Sequence, residues 1–236
     1  MGQKIRPDSF RLGITRPWLA RWFPKHKNFR NELEEDVIIR KTIKEKIAAA
    51  GLVQLTIERG PQLLYRIGIK VARPGLVIGR GGKGVEELNR LIERRLTDIL
   101  RRRNPKALKP SINLTIEELK RSEVSAAYVA QLIAWDLEKR LRARRTMKKH
   151  LEEVMQHREV KGAKIRLSGR IDGAEISRRE WLAKGSLPLQ TLRADIDYGE
   201  ATAIASFGTV GIKVWIYRGE LFAKQSDRDR GDMARR

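Results

Sequence analysis

From Asn31 onward, apolar residues recur at helical steps: Leu33, Val37, Ile38, Ile43 and Ile47 make one stripe, and Gly51 stands where a helix C-cap belongs. The period then drops to two. Val53, Leu55 and Ile57 alternate with polar partners, Gly60-Pro61 marks a turn, and Leu63, Tyr65, Ile67, Ile69 and Val71 alternate again, which predicts a pair of strands. Pro74-Gly75 breaks the second strand, Val77-Ile78 lead into Gly79-Arg80-Gly81-Gly82, and helical spacing returns at once with Val85, Leu88, Ile92, Leu96 and Ile99. Beyond Arg101-Arg102-Arg103 and a loop from Pro105 to Pro110, Ile112, Leu114 and Ile116 predict one more strand.

A second block of pattern starts near Ser122. Val129, Ile133, Leu137 and Leu141, then Met147, Leu151 and Val154, predict one long helix or two stacked ones over residues 124–157. Four strands follow: Ile165 and Leu167 in the first, Glu180 to Ala183 after a Gly173-Ala174-Glu175 turn, then Leu192 to Tyr198, then Val210 to Ile216. Period two buries one sheet face, and the preceding helices are its cover. The expected class is therefore α+β in both blocks. The expected domains are an N-terminal arm over residues 1–30, a first domain over 31–118, a second over 119–221 with helices on a mostly antiparallel sheet, and a polar, mobile tail over 222–236.

Charge changes the picture more than composition does. The net charge of +22 draws a polyanion to the surface, and a Lys and Arg excess of this size is the electrostatic mark of a nucleic-acid binder. A membrane surface would attract the same charge, but no apolar run approaches the roughly 18 residues of a membrane span. The opening Met1-Gly2-Gln3-Lys4 has no signal-peptide character, and Arg6 occupies the place a myristoylation motif gives to Ser or Thr. With no cysteine, disulfides, thiolate metal sites and a cysteine nucleophile are excluded, as fits a reducing compartment.

Three phosphate-binding motifs overlap at Gly79-Arg80-Gly81-Gly82-Lys83-Gly84. Glycines let a backbone approach a ligand closely, and the helix that follows turns its unpaired N–H groups and positive dipole end toward the loop. The dinucleotide pattern G-x-G-x-x-G is satisfied, yet Pro74-Gly75 interrupts the feeding strand and no acidic residue ends a following strand. A P-loop needs Ser or Thr after Lys83, where Gly84 stands. A KH-type G-x-x-G clamp, holding about four backbone nucleotides, takes Gly79, Arg80, Gly81, Gly82 and Lys83, with Val77, Ile78 and Val85 as apolar walls. An ordinary glycine turn entering a helix is the bland alternative. The order helix, strand, strand, clamp, helix, strand discriminates better than the glycines: it is that of a type II KH domain.

Other clusters carry weaker signals. Residues 1–28 hold seven Lys or Arg against one acid, with Phe10, Trp18, Trp22 and Phe23 interleaved. Such an arm either stacks on bases or pins itself to a neighbouring domain, and it should be poorly ordered until bound. Lys139, Arg140, Arg142, Arg144, Arg145, Lys148 and Lys149 fall in one stretch without an acid, and Arg144, Arg145 and Lys148 share a helix face. Repulsion on that face suggests an anionic partner, against the alternative of a merely solvated face. His150 and His157 read as surface or phosphate contacts, since no third metal ligand is near. Asp195 and Asp197 read as partners of arginines rather than as a catalytic pair.

The opening MGQKIRP with Arg11-Leu12-Gly13-Ile14, the clamp ARPGLVIGRGG, the basic RRTMKK from Arg144, SGRIDGAEISRREW from Ser168, LPLQTLRADIDYG and GTVGIKVWIYRGE together resemble the bacterial or organellar form of the small-subunit ribosomal protein S three family. The likeness runs from Met1 to about Glu220, with departures at Ser9, Ser186 and Gln190. It implies a type II KH domain and a C-terminal α+β domain in the head of the small subunit, bound to small-subunit rRNA, to mRNA and to the head proteins numbered ten and fourteen. It implies that Arg144, Arg145 and Lys148 line the channel by which mRNA enters and help to melt its secondary structure. Lys4, Arg6, Arg11, Arg16 and Lys149 are the further rRNA contacts expected. No catalysis, cofactor or metal is implied, and the expected location is a cytoplasmic or organellar ribosome. A free-standing KH regulator of RNA and a nicotinamide-dependent enzyme are the rival readings of the same loop.

Overall fold

The structure, a computed structural model, describes residues 4–24, 28–61, 63–103, 109–120 and 123–221. The tail expected over 222–236, most of the Pro105 to Pro110 loop and the boundary near Ser122 lie outside the described residues. In chain order the elements are α1 (Pro7–Arg11), β1 (Ala20–Arg21), α2 (Phe29–Ile47), β2 (Leu52–Arg59), β3 (Leu64–Val71), α3 (Pro74–Ile78), α4 (Lys83–Arg103), β4 (Ser111–Glu118), α5 (Ala126–Glu138), α6 (Ala143–Met155), β5 (Gly162–Gly169), β6 (Arg178–Gly185), β7 (Ala194–Ala205) and β8 (Gly208–Glu220). They form two compact units, Trp18–Lys120 and Met1–Pro17 with Arg121–Arg236.

In the first unit the sheet order is β1-β2-β3-β4; β2 and β3 run antiparallel, while β3 and β4 run parallel. A parallel neighbour cannot be reached by a tight turn, and the crossover is supplied by α3 and α4. Ile39, Ile43 and Ile47 of α2 and Leu88, Ile92 and Leu96 of α4 cover one sheet face, meeting Leu55, Ile57, Tyr65, Ile67, Ile69 and Val71. Each such side chain contributes about 1.5–3 kcal/mol by leaving water. The order from α2 to β4 is the type II KH arrangement expected from the sequence.

The buried stripe of α2 differs from the expected one. Leu33 and Val37 are exposed, whereas Glu35 and Asp36 are buried beside Ile39. Glu35 receives hydrogen bonds from Tyr65 Oη and Arg59 Nη1 on one oxygen and from Arg103 Nη1 on the other, each at 2.8 Å. Asp36 accepts from Arg40 Nε at 2.6 Å and from the Trp22 indole at 3.1 Å. Buried carboxylates persist where charged donors fill their lone pairs, and both meet that condition.

The second unit carries a fully antiparallel sheet in the order β6-β5-β8-β7. Helices α5 and α6 lie on one face, where Val129, Ile133, Leu137, Met147, Leu151 and Val154 meet Ile165, Leu167, Val210, Ile212, Val214 and Ile216. The helical pattern over 124–157 resolves into two helices, with Arg140 between them at φ +62°. β7 begins at Ala194 rather than Leu192 and runs on to Ala205. Gly199 lets α5 approach β7, since a Cβ there would lie 2.4 Å from Ala126 backbone atoms. Asp197 Oδ2 accepts the Ala126 N–H at 2.7 Å, so β7 caps the helix it supports.

The arm is divided between the units, its residues up to Pro17 belonging to one and those from Trp18 to the other. The side chain of Arg11 is wholly buried: Nε donates to Ala194 O at 2.7 Å, Nη1 to Pro7 O at 2.9 Å, and Nη2 to Leu189 O and Thr191 O at 3.1 and 2.8 Å. In the other unit Trp22 packs under Arg59, whose guanidinium lies 4.6 Å from the ring centroid. Pinning, rather than free stacking, is therefore what the arm does at Arg11 and Trp22.

Candidate nucleic-acid interface

Two surfaces collect the cations singled out in the sequence. On α6, successive residues turn by roughly 100°, so Arg144, Arg145 and Lys148 fall within one third of the circumference. Ala143, Thr146, Met147, His150, Leu151 and Val154 occupy the buried side, and Arg144, Arg145, Lys148 and Lys149 all face outward. Lys148 and Lys149 lie 4.0 and 3.9 Å from Glu152 and Glu153 one turn on. Arg144 and Arg145 have no carboxylate partner among the described residues, so their guanidinium donors are available to an anion.

Cations in a first helical turn oppose the helix dipole, so this N-terminus needs support from elsewhere. It comes from the turn Ile171–Gly173: Asp172, held at φ +54°, accepts the Ala143 N–H on Oδ1 at 2.9 Å. Arg170 fastens the same turn by donating to Ala174 O at 2.9 Å and Phe207 O at 3.0 Å. His150 ties α6 to α5, with Nε2 2.9 Å from Asp136 and Nδ1 2.9 Å from Glu153. The expectation of His150 as a surface or phosphate contact is thereby corrected: it is buried and both ring nitrogens are engaged. Beside the N-terminus of α6 opens a cleft of about 530 Å3 whose walls include Arg140, Arg142, Ile171 and Phe207.

The second surface is the glycine loop between α3 and α4. Gly79, Gly81 and Gly82 take φ of +67°, +63° and +79°, values that side chains adopt only under strain. A Cβ at Gly81 or Gly82 would meet nothing within 4 Å, so the turn is open on its outer side. Gly84 is required for a different reason: a Cβ there would stand 2.4 Å from Val77 O, and its absence lets α3 pack on the start of α4. Arg80 and Lys83 are exposed at the loop. The apolar margin is formed by Leu76, Ile78 and Val85; Val77, expected there, is buried in the core.

The remaining cations do not gather into one surface. Lys4 is exposed. Arg6 pairs with Asp8 at 3.1 Å and Glu200 at 3.2 Å, and these carboxylates, Asp8 first, raise its pKa. Arg16 bridges Asp195 and Asp197 at 3.4 and 3.3 Å, which gives these aspartates the arginine partner expected of them. Arg11 is corrected outright: burial, with Arg16 adding repulsion, lowers its pKa, and all its contacts are internal. It is a structural tie and not a surface for RNA.

Comparison with known proteins agrees with this layout. Residues 38–124 match the family described as KH domain, and residues 133–216 match that described as Ribosomal protein S3, C-terminal domain. A small ribosomal subunit protein uS3 from Caldanaerobacter subterraneus is 46% identical over 221 residues, covering 94% of each chain. The chain belongs to the uS3 family. Two further uS3 proteins, from Persephonella marina and Desulforudis audaxviator, are 41% and 44% identical and cover 96% and 98% of this chain and 94% and 100% of their own length. Placed on the uS3 match, the basic stretch of α6 and the Asp172 turn lie in the C-terminal domain, and the glycine loop lies in the KH domain. Asp172 was not singled out from sequence; the Asp-Gly pair after Ile171 signals a turn, but nothing in it reveals which helix that turn caps.

Proposed function

We propose that this chain is a structural, non-catalytic constituent of the small ribosomal subunit. It binds rRNA in the subunit head beside the proteins numbered ten and fourteen, on the ribosome of the cytoplasm, and α6 lines the channel by which mRNA enters. Membership of the uS3 family supports the ribosomal part of this reading, since the relatives carry the name small ribosomal subunit protein. The observation that carries the rest is the outward face of α6, where Arg144 and Arg145 stand without carboxylate partners among the described residues and Lys148 beside them. Such a face holds phosphate by charge and by the forked donors of guanidinium, without a bond being made or broken.

Unwinding follows from preference. If the cations hold a flexible single strand better than a duplex, each nucleotide freed at the base of a hairpin is captured, and movement of the message supplies the work. The test compares translation through a stable hairpin with translation of an unstructured message, using ribosomes that carry Arg144→Ala, Arg145→Ala and Lys148→Ala together. Slowing confined to the hairpin message is expected. Equal slowing on both messages contradicts a role for α6 in unwinding.

A further inference from the structure

The sheet of the second unit has a face that α5 and α6 leave uncovered, and its residues follow from the register. In an antiparallel pair, directly opposed residues share a face. Arg166 lies opposite both Trp181 of β6 and Lys213 of β8, and Lys164 lies opposite both Ala183 and Trp215. Ser168 and Gly211, opposite one another in the next row, are small, and Arg179 faces Ser168 from β6. The surface is thus a flat aromatic and cationic sheet, shallow on one side. Trp181 is 60% exposed, an unusual position for so large an apolar ring. Lys164 sits between two indoles, its Nζ 4.6 Å from the Trp181 ring and 5.9 Å from that of Trp215.

Cations predominate on this face: Glu200 lies opposite Lys213 in the register, but its ion pair is with Arg6 at 3.2 Å. Lys164, Arg166, Arg179 and Lys213 have no carboxylate within ion-pair distance among the described residues, although acids are available elsewhere on the same sheet, as Arg178 with Glu180 shows at 2.7 Å. Desolvation, then the neighbouring charges of Lys4 and Arg166, lowers the pKa of Lys164. Crowded cations beside an exposed ring, none of them in an ion pair among the described residues, are complementary to a ligand that brings both a π-face and a phosphate. A protein partner would have to bury these cations against carboxylates, whose pairing offsets the desolvation cost only in good geometry.

We infer that the open part of this face, over β6, β5 and β8, binds single-stranded RNA, with an unpaired base stacked on Trp181 and the backbone drawn across Lys164, Arg166 and Lys213. The site is separate from the glycine loop and from α6, and it rests on the proposed function only for the class of ligand. The full chain is titrated with a labelled oligouridylate of about 12 nucleotides and with an abasic oligomer of the same length. Trp181→Ala should weaken binding of the oligouridylate about fivefold or more, Trp181→Phe less, and neither should change binding of the abasic oligomer. Photo-cross-linking of a 4-thiouridine oligomer should then label the tryptic peptide from Glu180 to Lys184.

Unchanged oligouridylate affinity in Trp181→Ala, or RNA cross-links confined to peptides of α6 and the glycine loop, overturns the inference. So does cross-linking of Lys164 or Lys213 to a neighbouring protein in assembled small subunits with no RNA on that peptide, which would assign the face to protein. The hairpin experiment does not depend on Trp181, so either reading can fail without the other.

Discussion

Removing the carboxylate of Glu35 is the sharpest test of how the first unit holds together. The residue is 3% exposed, and it accepts from Tyr65, Arg59 and Arg103 at 2.8 Å each. In Glu35→Ala the hydroxyl of Tyr65, itself almost wholly buried, loses its acceptor, which costs about 2 kcal/mol. Each arginine keeps a second carboxylate, Arg59 from Glu32 at 3.6 Å and Arg103 from Glu34, so together they lose only about 1–2 kcal/mol more. The sum, about 3–4 kcal/mol, lies within the range for breaking a buried ion pair by removing one partner. With a urea dependence of about 2 kcal/mol per molar for a unit of this size, the midpoint should fall by about 1.5–2 M. Hydrogen exchange during urea unfolding, read on peptides from α2 and β3, follows this unit separately from the other. A midpoint unchanged for those peptides, or an equal loss in β5 and β8, would refute the reasoning, and Glu35→Gln should recover part of the loss by keeping one acceptor for Tyr65.

Two further outcomes follow from single contacts. Asp172→Ala removes the cap on α6 and should cost about 1 kcal/mol, seen as faster amide exchange over residues 143–147 with β5 unaffected; unchanged protection contradicts the capping role. Burial first, then the hydrogen bond to Glu200, pushes the Tyr198 hydroxyl up to about 12, and burial with Glu35 raises Tyr65 as well. The folded protein then holds protons that the unfolded chain releases near pH 10, so stability is intact below pH 10 and declines as pH rises from about 10 to 12. In an absorbance titration Tyr65 and Tyr198 should ionise late, together with unfolding; their ionisation near pH 10 in the folded protein would contradict this.

Much of the fold was legible because its periods are clean. β3 alternates along its whole length and β8 from Val210 to Ile216, and the stripe Leu88, Ile92, Leu96 of α4 is buried as its spacing requires. The α6 cations were legible for the same reason: a helix that buries Met147, Leu151 and Val154 must turn Arg144, Arg145 and Lys148 outward. Local pattern failed where distant residues decide. On α2 the spacing favours Leu33 and Val37 as core, but Arg59 and Arg103, far along the chain, make the Glu35 side the buried one. Arg11 looked like any surface cation until four backbone carbonyls, three of them from residues 189–194, were seen to surround it. The sheet face around Trp181 was missed because its cations are spread over three strands and meet only through strand pairing.

The central claim is that the outward cations of α6 hold RNA through its phosphates. Affinity of the full chain for an unstructured RNA, measured from about 50 to 300 mM salt, gives the number of phosphates neutralised. Arg144→Ala with Arg145→Ala and Lys148→Ala should flatten the slope of log K against log salt by about 2, since each lost cation on a single strand removes about 0.7. A slope unchanged by the triple substitution would contradict the account.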